Sequence, residues 1–208
     1  MMRLLALAPL CVTGLVAPAA PAKNLIARHE ASASMPFLEK PKNLDGTLAG
    51  DVGFDPLGLS EIDDLGVDLY WLREAEIKHG RVAMLATTGV IWVEIFGPLP
   101  GWPAADGRSQ MDVFWDAWEE HPNAVVAGLV FITAIELVSG VATTAGRASG
   151  ERAPGDFGLN PLKFEVTEAM ALKEVKHGRL AMWAVMGQIG AGLATHDPAF
   201  GNLENFFA

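Results

Sequence analysis

Glu, His and Arg recur at a fixed spacing in two segments, and these types can pair charges while keeping lone pairs for a ligand. Residues 76–86 read EIKHGRVAMLA and residues 174–184 read EVKHGRLAMWA. Aligned without a gap they match at eight of eleven positions, and the three differences exchange one apolar residue for another. Glu76 and His79 are three apart, as are Glu174 and His177, so each pair shares a helix face. Glu76 and Arg81 are five apart, which at about 100° per residue turns them away from each other. A Glu therefore cannot neutralise its own Arg. Two such helices crossing about a pseudo-two-fold axis would pair them reciprocally, Glu76 with Arg179 and Glu174 with Arg81. Each carboxylate would then keep an oxygen free, and each His a nitrogen. A small-residue stripe permits that crossing: Gly80, Ala83 and Thr87 on one helix, Gly178, Ala181 and Gly187 on the other.

A second pair of segments precedes the first. Residues 50–57 read GDVGFDPL and residues 155–162 read GDFGLNPL. The chain is thus an internal duplication, which fixes its architecture. Each charged segment runs directly into apolar sequence, VAMLATTGVIWV after Arg81 and LAMWAVMGQIGAGLA after Arg179. A membrane span needs about 20 mostly apolar residues. These reach that length only if their charged starts lie partly within the membrane, where ionised groups need partners or a function.

These motifs resemble the light-harvesting chlorophyll a/b- and a/c-binding superfamily. The two ExxHGRxAM segments, the GFDPLGL loop and the GDFGxxPL loop carry the resemblance, which covers nearly all of the chain after the first ~35 residues. In detail it is nearest to red-lineage members, the fucoxanthin or alloxanthin chlorophyll a/c types and the photosystem I antenna of such algae. The resemblance implies an all-α membrane protein. Three transmembrane helices are expected over roughly 68–96, 124–145 and 166–195, the first and third crossed, with short amphipathic surface helices beside them.

Composition agrees with that class. Half of the 208 residues are hydrophobic, in blocks, and the formal net charge is −10. Nothing resembles the basic stripe of a nucleic-acid binder. Cys11 is the only cysteine, so the chain after it has no disulfide or thiolate metal site. Residues 1–34 read as a bipartite plastid-targeting leader, an apolar run followed by a stretch with three basic residues and one acidic residue (counting His29 as basic). Residues 35–208 form the antenna domain. Met111, Phe114, Trp115 and Trp118 mark a short surface helix with its tryptophans at the interface. His121 reads as a solvated helix-end residue. NLENFF near the C-terminus reads as an amphipathic end segment.

The resemblance also implies a ligand set. Chlorophyll magnesium takes one axial ligand, and Glu76, His79, Glu136, Glu174 and His177 stand at the matching positions. Glu136 is the one ionisable residue of the middle helix. Ser139 stands where many relatives carry an Arg, so its usual charge partner is missing. Gly89 reads either as a close helix contact or as a pigment pressed on the backbone. Ala191 occupies another ligand position; Gln188, one turn earlier, is either its replacement or a packing amide. His196 is either a surface residue or a last ligand. The loops at Asp55–Pro56 and Asn160–Pro161 would cap two carotenoids, with Asn160 standing where the first copy has Asp55. Met84, Trp92, Met182 and Trp183 suit pigment faces or plain apolar packing.

The implied cofactors are chlorophyll a and xanthophyll carotenoids, with chlorophyll c and bound lipid as further candidates. The implied partners are photosystem core subunits, photosystem I foremost, neighbouring antenna proteins and thylakoid lipid. No nucleophile–base pair, phosphate loop or redox motif suggests an enzyme. One competing reading keeps the fold but makes it an energy quencher, sensing lumen pH through Asp106, Asp112, Asp116, Glu119 or Glu120. Another is a small transporter with intramembrane ion pairs.

Overall fold

A computed structural model describes residues 31–62, 68–150, 152–161 and 163–207. The leader expected over residues 1–34 lies almost wholly outside the described residues, as does Leu162 of the second loop motif. Five α-helices account for the fold among the described residues: α1 (Leu69–Phe96), α2 (Gln110–Glu120), α3 (Pro122–Ser149), α4 (Glu168–Thr195) and α5 (Ala199–Phe207). A 3-10 turn at Leu59–Glu61 precedes them, and the only strand-like pairing among the described residues is the isolated bridge between Ala31 and Glu39.

Local chemistry sets the helix ends. Asp68 accepts the Trp71 amide at 3.0 Å and opens α1, Ser109 and Thr167 cap α2 and α4 in the same way, and Pro122 occupies the first turn of α3. The expected boundaries hold within a few residues. α3 extends further, to Ser149, because nothing in ATTAGRAS breaks a helix before Gly150 adopts a left-handed φ of 68°.

α1 and α4 form the most extensive helix pair. At their contact Gly80 faces Gly178, and a Cβ built on either would stand 3.0 Å from the other's Cα. Ala83 and Ala181 are buried beside them. Gly187 does not belong to this stripe: it is exposed and its missing side chain faces open space. Nine residues past Gly178, at about 100° per residue, it lies on the opposite face of α4.

The interior is small. Among the described residues the buried apolar side chains are Ala83, Val113, Ala117, Val175 and Ala181. Large apolar residues point outward instead, among them Leu85, Phe131, Val138, Leu180, Trp183 and Met186. Apolar surface exposed on this scale marks faces that meet a membrane or a partner. α3 is long and apolar enough to cross a bilayer. α1 and α4 have the same length of 28 residues, but their N-terminal halves are charged and the helices are less apolar as a whole.

Candidate functional site

The reciprocal ion pairs are present. Arg81 Nε donates to Glu174 Oε1 at 2.7 Å, and Arg179 Nε donates to Glu76 Oε1 at 2.7 Å. Each guanidinium also donates to a loop carbonyl, Arg81 Nη1 to Gly155 O at 2.7 Å and Arg179 Nη1 to Gly50 O at 2.9 Å. Gly50 and Gly155 open the two GDxG motifs, so each arginine ties a helix of one copy to the Glu and the loop of the other.

The GDxG repeat has the same geometry both times. The first Gly adopts φ of 77° or 80°, the second 68°. The Asp side chain accepts the amide two residues on, Asp51 from Gly53 and Asp156 from Gly158, both at 2.8 Å. These left-handed backbones favour Gly. Gly155 has no room for a side chain either, since a Cβ would sit 2.8 Å from Ile77.

The copies differ at the carboxylates. Glu174 keeps one oxygen without a partner among the described residues. Glu76 does not: Arg73 Nη1 donates to its Oε2 at 2.6 Å. Arg73 also donates to the Ala49 carbonyl. The counterpart of Arg73 in the second copy is Ala171, so the duplication is unsymmetrical here, and the expected free oxygen exists on Glu174 alone.

His79 and His177 behave alike. Nδ1 of His79 lies 2.7 Å from Ala75 O and Nδ1 of His177 lies 2.7 Å from Lys173 O. A carbonyl can only accept, so Nδ1 carries the proton, and in the neutral ring Nε2 holds the lone pair. Both rings are exposed on the outer helix faces. An imidazole oriented through Nδ1–H with a free Nε2 is the state in which His ligates a metal.

Glu136 does have a charge partner, contrary to the expectation from Ser139. Lys78 reaches across from α1, its Nζ 3.1 Å from Glu136 Oε2 and 2.6 Å from Ser139 Oγ. Gly89 settles between its two alternatives in one respect: it is exposed and a Cβ there would meet nothing within 4 Å, so it serves no close helix contact. Gln188 lines a hollow of about 140 Å³ between α1, α2 and α4, with its Oε1 buried and unpaired. That volume is below the range of ordinary enclosed ligand pockets.

His196 ends α4 with φ 63° and sets Nδ1 3.0 Å from Asp112 Oδ1. Its ring is 67% exposed, leaving Nε2 accessible. The bond from His196, then that from Ser109, holds the Asp112 carboxyl below its ordinary range. Asp116 pairs with Arg108 at 2.5 Å. Of the five acidic residues read as pH sensors, Asp116 is thus paired with a cation and Asp112 is hydrogen-bonded to His196 and Ser109. His121 is not simply solvated: its Nε2 lies 2.7 Å from Gly101 O and its ring packs near Trp102.

The loop residues explain the Asp-to-Asn difference. Asp55 accepts two amides, Leu59 at 3.0 Å and Ser60 at 2.7 Å, and so caps the 3-10 turn. Partial burial works to raise its carboxyl, but hydrogen bonds from Ser60, Leu59 and Gly58 outweigh it and the group titrates below its ordinary range. Asn160 meets one donor and one acceptor of the same residue, accepting from Phe164 N at 3.0 Å and donating to Phe164 O at 2.7 Å. A carboxylate could not do the second, so each loop has the side chain its backbone requires. Pro56 and Pro161 are exposed beside them. A hollow of about 530 Å³ lies between the first loop and the helix pair, lined by Leu48, Phe54, Leu72 and Trp183 among others.

Three features escaped the sequence. Glu74 is 1% exposed and accepts from Arg152 at 2.8 Å, from Thr143 at 3.2 Å and from the Gly155 amide. It joins α1, α3 and the second loop, and its one signal was a second Glu two residues ahead of Glu76. Glu94 accepts the amides of Ala199 at 2.7 Å and Phe200 at 3.0 Å, capping α5 from α1. Ser32, assigned to the leader, is 2% exposed and donates to Gly53 O at 2.5 Å.

Comparison with known proteins agrees with this geometry. The family model described as "Chlorophyll A-B binding protein" matches residues 40–191. The fucoxanthin-chlorophyll a-c binding protein of Chattonella marina var. antiqua is 35% identical over 190 residues, which cover 88% of this chain and 84% of that one. The photosystem I chlorophyll a/b-binding protein 3-1 of Arabidopsis thaliana is 33% identical, over 79% of this chain and 71% of its own. A second photosystem I protein of that plant, chlorophyll a/b-binding protein 5, is 34% identical over 81% and 73%. Such likeness leaves no support for the transporter reading, and the matched segment contains both crossed Glu–His–Arg motifs and both GDxG loops: the chain belongs to the chlorophyll a-b binding protein family.

Proposed function

We propose that the protein is a light-harvesting antenna subunit of the thylakoid membrane, holding chlorophylls and carotenoids and passing excitation to a photosystem, photosystem I foremost. The observation that carries this reading is the pair of outward-facing histidines, each with Nδ1 fixed to its own helix and Nε2 free. Excitation transfer is the pigments' own photophysics, and the protein's part is to fix their positions. His79, His177, Glu174 and Glu136 present donor atoms for chlorophyll magnesium. Glu76 does so through oxygens that Arg179 and Arg73 also hold. Gly89 supplies a flat, open stretch of helix, and His196 an accessible nitrogen steadied by Asp112. The loops at Asp55–Pro56 and Asn160–Pro161 close the grooves beside the helix pair, where xanthophylls would lie.

In this reading α1 and α4 span the membrane with α3, because their ionised residues are paired across the contact rather than bare. The exposed Phe114, Trp115 and Trp118 set α2 at the interface. A leader directs the chain to the plastid and ends ahead of Ser32, since that residue is buried in the fold. The names of the relatives above, each chloroplastic, support the location, and that of the Chattonella protein supports chlorophyll c and fucoxanthin-type pigments. No catalytic step is involved.

Reconstitution of His79→Leu and His177→Leu with chlorophyll and carotenoid tests the assignment. Each variant should fold and lose one chlorophyll relative to the unaltered protein. Full pigment retention in both would refute the histidine ligands.

A further inference from the structure

The cleft between α1 and α3 holds the Lys78–Glu136 ion pair in a largely apolar lining, which Arg81, itself committed to Glu174, also borders. It encloses about 500 Å³ and is bordered by Val82, Phe131, Ile135, Phe157 and Leu159. Lys78 Nζ extends from α1 to Glu136 Oε2 at 3.1 Å and to Ser139 Oγ at 2.6 Å. Ser139 donates its own hydroxyl proton to the Glu136 carbonyl at 3.1 Å, so the oxygen presents a lone pair to the ammonium. The Lys78 Nζ also stands 5.8 Å from the Phe157 ring centroid. Glu136 Oε1 has no partner among the described residues. One oxygen is thus neutralised and the other is open.

The repeat provides a comparison within the chain. Lys176 is the counterpart of Lys78, yet it is exposed and holds no acidic partner among the described residues. The lysine is engaged only in the copy that packs beside α3.

We propose that Lys78 is a positioning residue for Glu136, supplying from α1 the positive charge that lets this carboxylate ligate a chlorophyll magnesium in the α1–α3 cleft. A carboxylate in apolar surroundings keeps its charge only beside a cation. Ser139 cannot provide one, and its small hydroxyl leaves room for the lysine. The pigment at this place is therefore held by two helices, and its binding couples α3 to α1. This inference rests on the antenna reading above.

The test is reconstitution of the full chain with chlorophyll a and xanthophyll as the unaltered protein, Lys78→Met, Lys78→Arg and Lys78→Met/Ser139→Arg. An Arg at 139 lies three residues from Glu136, within reach on the same helix face. Lys78→Met should lose one chlorophyll per protein and keep the rest. Lys78→Arg and the double variant should regain it, a rescue that loss of mere packing would not permit. Wild-type pigment content in Lys78→Met overturns the proposal, and so does a loss that neither second variant restores. An unaltered protein that takes up no chlorophyll overturns the antenna reading itself, and this inference with it.

Discussion

Removing the two crossing arginines should not have equal consequences, although the repeated motif makes them look equivalent. Arg81→Leu leaves Glu174 with no bonded cation among the described residues. Arg179→Leu leaves Glu76 with Arg73 at 2.6 Å. Each variant also loses one hydrogen bond to a loop carbonyl, at 2.7 and 2.9 Å, so that cost nearly cancels in the comparison. Stranding one member of a buried ion pair costs about 3–5 kcal/mol. Arg81 and Glu174 are 39% and 37% exposed in the protein alone, so the lower end applies. The difference between the variants is then about 2–3 kcal/mol, roughly 30- to 150-fold in the folding equilibrium. For a chain of this size that corresponds to about 4–12 °C in melting temperature. The assay is loss of chlorophyll circular dichroism on heating the reconstituted complexes. Arg81→Leu should melt well below Arg179→Leu, and Arg73→Leu/Arg179→Leu should fall to the level of Arg81→Leu. Equal melting of the two single variants, with no added effect from Arg73→Leu, would refute the compensation.

Gly80→Ala should lower the melting temperature, because its Cβ would stand 3.0 Å from Gly178 Cα and overpacking of about 1–3 kcal/mol exceeds the ~1 kcal/mol gain in helix propensity; Gly187→Ala, with open space around it, should not. Glu94→Ala should release α5, at a cost of about 0.5–2 kcal/mol typical of a lost cap, and limited proteolysis should cut the tail faster; an unchanged cleavage rate would show the cap to be idle. The Asp55 carboxyl is held below its ordinary range of about 3.8, so its stabilisation of the loop is fully present above that value and is lost as pH falls through the lowered one. Hydrogen exchange at Leu59 and Ser60, corrected for intrinsic rate, should stay slow from pH 7 to about 4 and rise below; opening at pH 5–6 would contradict this.

Much of the site was legible because a duplication displays its own constraints. The five-residue offset of Glu and Arg forbids pairing within one helix, which leaves the reciprocal pairing that the structure has. The GDxG repeat likewise announced two matched turns. What could not be read depends on which elements become neighbours in space. Arg73 meets Glu76 on its own helix, but its side chain is fixed there by the first loop through Ala49. Lys78 finds Glu136 58 residues away, and Glu94 caps a helix 105 residues away. Gly187 is a small residue, but nine residues from Gly178 it falls on the opposite helix face, so its inclusion in the stripe misreads the spacing. Glu74 looked like one charge among several, and only the packing of α3 shows that it is buried.

Pigment content of the purified protein tests the central claim most directly. The complex would be isolated from its membrane in mild detergent, its pigments extracted and its fluorescence decay recorded. The account predicts chlorophyll a with xanthophyll and a decay on the nanosecond scale. A much shorter decay in the isolated complex would point to quenching rather than harvesting, and a colourless protein would contradict the pigment-binding account outright.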